Sequence, residues 1–450
     1  MERRGEFGSK IAIVLATAGS AVGLGNVWRF PFMTGQNGGA AFILIYFGCV
    51  LLLGIPGMVS EFLIGRYAQS NAARAYESMG HSGWRFVGYL GILTSTLILG
   101  FYAVVAGWCL QYLFASIAGK LNGDAAYVIN YFKSFSSDPF WPCLWAVIFV
   151  LITHVVVSRG VKRGIERASK LLMPLLLLLL VMIVVASCLL PGAEKGVAFL
   201  LRPDFSKVST NVFLEALGQA FFSLSLGTAC LCTYASYFKR DTHLLGAATQ
   251  IALLDSVIAI LAGLMIFPAA FSVGVQPDSG PSLIFITLPN VFQQAFGEMP
   301  EVGYVISIMF YALLVFAALT STISMHEIGT AFFHEELNIS RQRAAWILTS
   351  VCGLLSVFCS LSVGAYNGLQ LFGMPLMEFC DFLTAQLMLP AGAFLTSIML
   401  GWFVNKALVK DEFTNQGTIS LVFFRVWYLT IRFVVPLCII LIFLHQFGIL

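Results

Sequence analysis

Charged side chains are scarce in this sequence. Only 10% of its 450 residues are Asp, Glu, Lys or Arg, whereas 59% are hydrophobic. A soluble domain carries about 25% charged residues, so the deficit indicates a chain whose solvent is lipid. The formal net charge of +3 is too small to indicate nucleic-acid binding, and no nucleic-acid partner is expected.

The sequence also lacks the patterns of an enzyme or a metalloprotein. No Ser/His/Asp set, metal-binding cluster or phosphate-binding loop is present. Its ten cysteines follow no regular disulfide or zinc spacing, and they are predicted as small buried residues of apolar runs. The N-terminus shows no short apolar run that ends in a cleavage site, so no signal peptide is expected.

Long apolar stretches predict eleven membrane-spanning helices, since about 20 apolar residues cross a bilayer as a helix. They lie at roughly 9–34, 39–66, 86–117, 141–158, 165–190, 211–237, 244–273, 301–333, 344–361, 375–401 and 426–446. With the N-terminus in the cytoplasm, seventeen Lys and Arg residues fall inside and five fall outside. The positive-inside rule therefore predicts a plasma (inner) membrane protein with a cytoplasmic N-terminus, an external C-terminus and no appended soluble domain.

Two predicted spans carry helix-breaking residues near their middle. The first contains Gly19, Gly23 and Gly25, and the sixth contains Ser223, Ser225 and Gly227. Glycine destabilises a helix by about 1 kcal/mol, and a pair of interrupted spans at matching places in two five-helix halves is typical of inverted-repeat transporters. The alternative is close helix packing through small residues.

Oxygen atoms of cation-binding type accompany these breaks. A broken helix frees backbone carbonyls, which bind small cations, and amides, which bind a carboxylate. Ala317, Thr320, Ser321 and Ser324 share one helical face, although this pattern alone favours interhelical packing. Asp255 lies inside the seventh span, where a carboxylate needs a partner. We interpret it as a cation ligand, with a protonated or hydrogen-bonded structural Asp as the alternative.

Several motifs resemble those of the neurotransmitter:sodium symporter family. The first runs from Gly19 to Pro31, and others include the runs 36–39, 65–67, 223–227, 233–237 and 285–289. They occur in order over essentially the whole chain. The resemblance implies one transporter domain of LeuT-type fold over residues 1–450, closest to prokaryotic members with eleven spans. Its first repeat would be about 9–190, its second about 211–401, and one extra helix about 420–446.

The resemblance also implies two sodium sites and an amino-acid site. The first sodium would use Ala21, Asn26, Ser223 and Asp255 together with the substrate carboxylate; the second would use Gly19, Val22, Ala317, Thr320 and Ser321. The substrate carboxylate would meet the amides near Leu24 and Gly25 and the Tyr102 hydroxyl, and the amino group would meet carbonyls near Ala21, Phe222 and Ser225. Ser223 would border this site. The side-chain pocket would consist of Ser20, Ile98, Thr228, Ser321 and Met325.

Gates on the two sides of this site are a further implication of the resemblance. The outer gate would be Arg29 and Asp381 with Phe222 as a lid, and the inner gate would be Arg4 and Glu335 with Ser236 and Tyr237. Glu335 is one methylene longer than the Asp that the family pattern predicts. Asp255 stands where many animal members carry Asn, and Ala259 occupies a chloride-linked position. Because the fixed carboxylate supplies negative charge, we expect chloride-independent transport.

The sequence therefore predicts a sodium-coupled symporter that imports a neutral, hydrophobic or aromatic amino acid. At position 228 the resemblance leads one to expect a bulky apolar residue, but this chain has Thr228. The smaller side chain leaves room in the pocket for an aromatic substrate such as tyrosine or tryptophan. The alternative is that neighbouring side chains repack to fill the gap. A proton-coupled transporter of the same architecture is the second hypothesis. A channel would need a continuous polar lining, and a sensor would need a soluble output domain. The sequence shows neither feature, so both functions are disfavoured. No obligate protein partner is evident.

Overall fold

A computed structural model of the chain describes residues 5–274, 283–297, 299–366, 368–418 and 420–446. Within these ranges, nine helices are long and apolar enough to cross a membrane. Numbered to leave places for spans 1 and 6, they are Ala40–Ala68 (span 2), Ser82–Ile117 (span 3), Trp141–Ser158 (span 4), Val161–Cys188 (span 5), Leu244–Ser272 (span 7), Pro300–Glu336 (span 8), Arg341–Ser362 (span 9), Leu376–Phe403 (span 10) and Leu421–Gln446 (span 11). They match nine of the eleven predicted spans.

Span 1 is a broken helix. Its halves, Lys10–Ala21 and Gly25–Gln36, meet at an angle of 56°. Between them the backbone of Val22 is extended, with φ −72° and ψ 102°. A Cβ at Gly23 would lie 2.5 Å from the Ser321 hydroxyl oxygen, so only glycine fits the chain against span 8 here. The predicted interruption of the first span is confirmed.

Span 6 consists of two shorter helices, Thr210–Ser223 and Cys230–Ala235. The stretch between them has positive φ at Ser225 (54°), Gly227 (83°) and Ala229 (60°), a region that L-residues other than glycine adopt at some cost. Glu61 of span 2 supports this stretch, because its carboxylate accepts the Gly227 amide at 2.7 Å. The predicted second interruption is therefore present, and the buried Glu61 carboxylate helps to hold it.

Short helices connect the spans. They are Ala72–Met79, Ala125–Ser136, Glu194–Leu201, Leu288–Ala295 and Lys406–Phe413. Within the described residues, the helical structure also includes single turns at Ser82–Trp84 and Phe205–Lys207 and wider turns at Leu283–Thr287 and within several spans. One two-stranded antiparallel hairpin pairs Gln370–Leu371 with Met374–Pro375. Side-chain caps begin several helices; Ser9, for example, accepts the Ala12 amide at 3.2 Å.

The fold separates a buried centre from an apolar periphery. The facing residues of spans 1, 6, 7 and 8 are almost inaccessible to solvent, among them Ala18, Asp255, Ala317 and Thr320. Leu171, Leu175 and Leu178 of span 5 instead point outwards; Leu171 is 62% exposed. Exposed leucines on a span are satisfied by lipid rather than water. The two breaks therefore lie in the protected interior of a helical bundle, where freed backbone groups can form a site.

Candidate cation and substrate sites

A cluster of polar side chains surrounds Asp255 of span 7, which is completely buried. One carboxylate oxygen accepts a hydrogen bond from the Asn26 amide at 2.7 Å, and the other accepts the Ser223 hydroxyl at 2.7 Å. The Tyr46 hydroxyl lies 3.4 Å from the second oxygen. The Asn26 side-chain oxygen accepts the Gly23 amide at 3.1 Å, which ties Asn26 to the break in span 1.

This arrangement gives the carboxylate no cationic partner from the part of the chain that the structure describes. Among the residues described, no ion pair includes Asp255; its contacts are an amide and two hydroxyl groups. A buried carboxylate without a compensating charge costs several kcal/mol. The Ala21 residue, whose carbonyl was predicted as a ligand, lines the adjoining cavity together with Asn26 and Ser223. The geometry therefore favours a small cation bound by oxygen atoms next to Asp255.

A second group of oxygens lies where span 8 crosses the break in span 1. The hydroxyl oxygens of Thr320 and Ser321 each lie 3.4 Å from the Val22 carbonyl oxygen. Thr320 also lies 3.0 Å from the Ala317 carbonyl oxygen, and a Cβ at Gly19 would lie 3.2 Å from the Thr320 Cβ. The five predicted ligands of the second sodium are thus brought together. Neutral carbonyl and hydroxyl oxygens without a carboxylate suit a monovalent cation better than a divalent one.

A central cavity of about 80 Å³ lies between these two groups. Eleven of the twelve residues predicted to bind substrate line it: Ser20, Ala21, Gly25, Ile98, Tyr102, Phe222, Ser223, Ser225, Thr228, Ser321 and Met325. The twelfth, Leu24, donates its amide to the Tyr102 hydroxyl at 3.0 Å. It lines a second, larger cavity that is described below. The lining also includes Phe101, Cys230, Ser324, Thr384 and Leu389, which were not predicted as substrate-binding residues.

A larger cavity of about 630 Å³ lies over the central one on the side predicted to be external. Gly25, Phe101, Tyr102 and Phe222 line both cavities. A Cβ at Gly25 would lie 2.9 Å from the Phe222 ring, so this glycine lets the ring close against span 1. Phe222 therefore lies at the boundary between the two cavities, the position expected of a lid.

Arg29 and Asp381, the predicted outer-gate pair, are not ion-paired in this structure. Arg29 and Asp381 both line the larger cavity, but no ion pair of 4.0 Å or less joins them. The Arg29 guanidinium instead lies 4.2 Å from the centre of the Phe222 ring, a cation–π contact. The three gate residues are thus neighbours, and Arg29 contacts the lid rather than the carboxylate.

The predicted inner gate is only partly described, because Arg4 lies outside the described residues. The Glu335 carboxylate accepts the backbone and side-chain amides of Asn71 at 2.7 and 3.0 Å. The Ser236 hydroxyl donates to the Thr233 carbonyl at 2.5 Å. The pairing of Arg4 with Glu335 therefore stays a prediction.

Tyr237, the fourth predicted inner-gate residue, belongs to a network that the sequence reading missed. Its hydroxyl donates to Glu327 of span 8 at 2.5 Å, and Arg341 of span 9 forms an ion pair with the same carboxylate. The N-terminal segment joins this network, since the Phe7 amide donates to the Tyr237 carbonyl at 3.2 Å. A charged residue inside the eighth span was the available signal, because such residues are costly and usually functional.

Comparison with known proteins identifies the family. Residues 4–135 and 136–449 match the sequence profile described as the Sodium:neurotransmitter symporter family. The chain belongs to this family. It is therefore a sodium-dependent membrane transporter with a LeuT-type fold, and not an enzyme.

Individual relatives cover nearly all of the chain. An uncharacterized sodium-dependent transporter of Bacillus subtilis, YhdH, is 39% identical over 99% of this chain and 98% of its own length. One from Haemophilus influenzae is 33% identical over the same shares. The crystal structure of MhsT in complex with L-phenylalanine superposes with a TM-score of 0.88 at 40% identity, covering 98% of this chain and 99% of that one.

Proposed function

We propose that this transporter imports a neutral, hydrophobic or aromatic L-amino acid together with two sodium ions, by alternating access and without chloride. The observation that carries the proposal is the buried Asp255 carboxylate, bound by Asn26 of span 1 and Ser223 of span 6. Asn26 and Ser223 also line the central cavity. One ion placed among them would compensate the carboxylate and hold both broken spans in place.

The substrate would complete the first sodium site with its own carboxylate. Tyr102 and Gly25 line the same cavity as Ala21 and Asn26, and the Tyr102 hydroxyl accepts the Leu24 amide at the break in span 1. Freed amides at the start of a half-helix favour an anion. An amino-acid carboxylate there would lie beside the cation, so that each ligand would raise the affinity for the other. The amino group would then meet carbonyls near Ala21, Phe222 and Ser225.

Two features support a neutral amino acid. No Asp or Glu side chain is among the residues that line the central cavity, so a basic side chain would lack a counter-charge. Much of the lining is apolar, including Ile98, Phe101, Met325 and Leu389. MhsT, which shares 40% identity, was crystallised with L-phenylalanine, and a hydrophobic substrate is proposed here by analogy.

Chloride independence follows from charge compensation. Asp255 supplies one fixed negative charge at the first sodium site, and the substrate carboxylate supplies another. Ala259, one helical turn further along span 7, is fully buried and offers no polar group to an anion. The fixed carboxylate would thus supply the negative charge for which a chloride ion would otherwise be needed, since the zwitterionic substrate adds no net charge.

In the proposed cycle, sodium and substrate bind from the larger cavity, and Arg29 then leaves the Phe222 ring to pair with Asp381. Release on the other side requires opening of the contacts around Tyr237, Glu327 and Arg341, with the predicted Arg4–Glu335 pair. We also propose the topology given above, with a cytoplasmic N-terminus and an external C-terminus, and one transporter domain built from two five-helix repeats.

A binding screen tests the proposal. The purified transporter would be heated with each of the twenty amino acids in sodium chloride, sodium gluconate and choline chloride, because a true ligand raises the unfolding temperature. We expect neutral hydrophobic or aromatic amino acids to stabilise the protein in both sodium salts and not in choline. Stabilisation that needs chloride would contradict chloride independence, and stabilisation in choline would favour proton coupling through Asp255 instead.

A further inference from the structure

Three hydroxyl groups at one end of the central cavity have their hydrogens directed into the protein. Ser20 donates to the Thr17 carbonyl, Thr228 to the Ser225 carbonyl and Ser324 to the Ser321 carbonyl, each at 2.7 Å. We call Ser20, Thr228 and Ser324 the acceptor cluster. A hydroxyl whose hydrogen is used in this way offers only lone pairs to a ligand.

Cys230 lines the same cavity and adjoins the acceptor cluster. Its backbone amide donates to the Thr228 hydroxyl oxygen at 3.1 Å. Each hydroxyl oxygen has two lone pairs, so this one amide does not use all six. The cluster therefore retains capacity to accept hydrogen bonds from a ligand.

The cluster is also nearly inaccessible to solvent. Ser20 and Thr228 are 5% exposed and Ser324 is 1% exposed. A substrate side chain that fills the cavity would displace any water there, and unmet acceptors would then carry a desolvation cost. A substrate that brings its own donor would avoid this cost. A substrate that brings only an acceptor would face the lone pairs of the cluster.

We propose that the acceptor cluster selects amino acids whose large apolar side chain carries a neutral hydrogen-bond donor, an indole N–H or a phenol O–H. This inference rests on the proposed function, since it specifies the substrate class of the same cavity. The apolar lining formed by Ile98, Phe101 and Met325 suits an aromatic ring. A cationic donor is disfavoured, because no Asp or Glu side chain is among the residues that line the cavity.

Paired analogues of nearly equal shape test this preference. Sodium-dependent binding of tryptophan would be compared with that of 3-benzothienylalanine, in which sulfur replaces the indole N–H. Tyrosine would be compared with 4-fluorophenylalanine. We expect the analogues without a donor to bind about three- to tenfold more weakly, the size of one net hydrogen bond. Equal affinities within each pair, to within about twofold, would overturn the inference.

Variants of the cluster locate the effect. Ser20→Ala and Ser324→Ala should weaken tryptophan binding and leave 3-benzothienylalanine binding unchanged, so that the affinity ratio falls towards one. Ser187→Ala is the matched control, because Ser187 is equally buried on span 5 and is not among the residues that line the cavity. Equal weakening of both ligands by the cluster variants would show a structural role and contradict selection.

The inference and the proposed function fail in different ways. If no amino acid binds in a sodium-dependent manner, both are wrong. If hydrophobic amino acids bind with sodium but the analogue ratios are near one, the proposed function stands and the selection by a side-chain donor is refuted.

Discussion

Asp255→Asn is the substitution that separates a cation ligand from a structural carboxylate. It keeps the shape of the side chain and removes its charge. The new amide oxygen can still accept the Asn26 hydrogen bond, now 2.7 Å long at Asp255. What is lost is the carboxylate that, among the described side chains, lies beside the proposed first sodium site. The local hydrogen bonds should therefore largely survive, while the cation loses its charged ligand.

The size of the effect follows from burial. Removing one partner of a buried pair of opposite charges costs about 3–5 kcal/mol, which corresponds to a sodium affinity lowered by roughly 10²- to 4 × 10³-fold. Without sodium, the effect of the substitution on stability has the opposite sign. The wild type then carries an uncompensated buried carboxylate, whereas Asp255→Asn carries a neutral amide. In sodium-free buffer the variant should be at least as stable as the wild type.

The assay is thermal unfolding of the purified protein over a sodium titration, with potassium holding the ionic strength constant. Wild type should gain stability in proportion to the logarithm of sodium concentration above its dissociation constant, and the variant should gain much less. Asp124→Asn is the control, because Asp124 is an exposed helix cap and Asn caps equally well. A sodium response in Asp255→Asn equal to that of the wild type would refute the assignment of Asp255 as a cation ligand.

Three further predictions concern the other parts of the site. Thr320→Val removes one hydroxyl ligand and keeps the shape of the side chain. We expect it to weaken sodium binding by about 1–2 kcal/mol, or roughly tenfold in a sodium titration of substrate binding. An unchanged titration would exclude Thr320 from the second sodium site. Gly25→Ala places a methyl group 2.9 Å from the Phe222 ring and should lower substrate affinity by about tenfold or more. The control Gly48→Ala, with nothing within 4 Å of the added Cβ, should leave substrate affinity unchanged. Equal effects of the two substitutions would contradict the role of Phe222 as a lid. Tyr102→Phe leaves the Leu24 amide without its 3.0 Å acceptor and should weaken binding of the amino acid by about tenfold in equilibrium binding, with a smaller effect on sodium; the reverse order would contradict a role in carboxylate binding.

The broken spans were predictable because they depend on local chemistry. Glycines 19, 23 and 25 signal the first break directly, and the structure places one of them against Ser321. The second break has weaker local signals. It needs Glu61 from span 2 to accept the Gly227 amide, and a contact across 166 residues cannot be read from spacing along the chain.

In the candidate site, too, some features follow from the local sequence and others depend on contacts between distant residues. The helical face of span 8 that carries Thr320 and Ser321 follows from helix geometry, and it does face Val22. Tyr46 beside Asp255 and the Glu327–Arg341 ion pair result from tertiary packing. The direction of each hydroxyl hydrogen also depends on the folded backbone, since it is set by which carbonyl lies within reach.

Uptake into proteoliposomes tests the central claim most directly. The transporter would be reconstituted, and accumulation of a radiolabelled hydrophobic or aromatic amino acid would be followed under an inward sodium gradient, an inward proton gradient without sodium, or neither. The account predicts accumulation above the external concentration only with the sodium gradient, with chloride or gluconate as the anion. Accumulation driven by the proton gradient in the absence of sodium would contradict it.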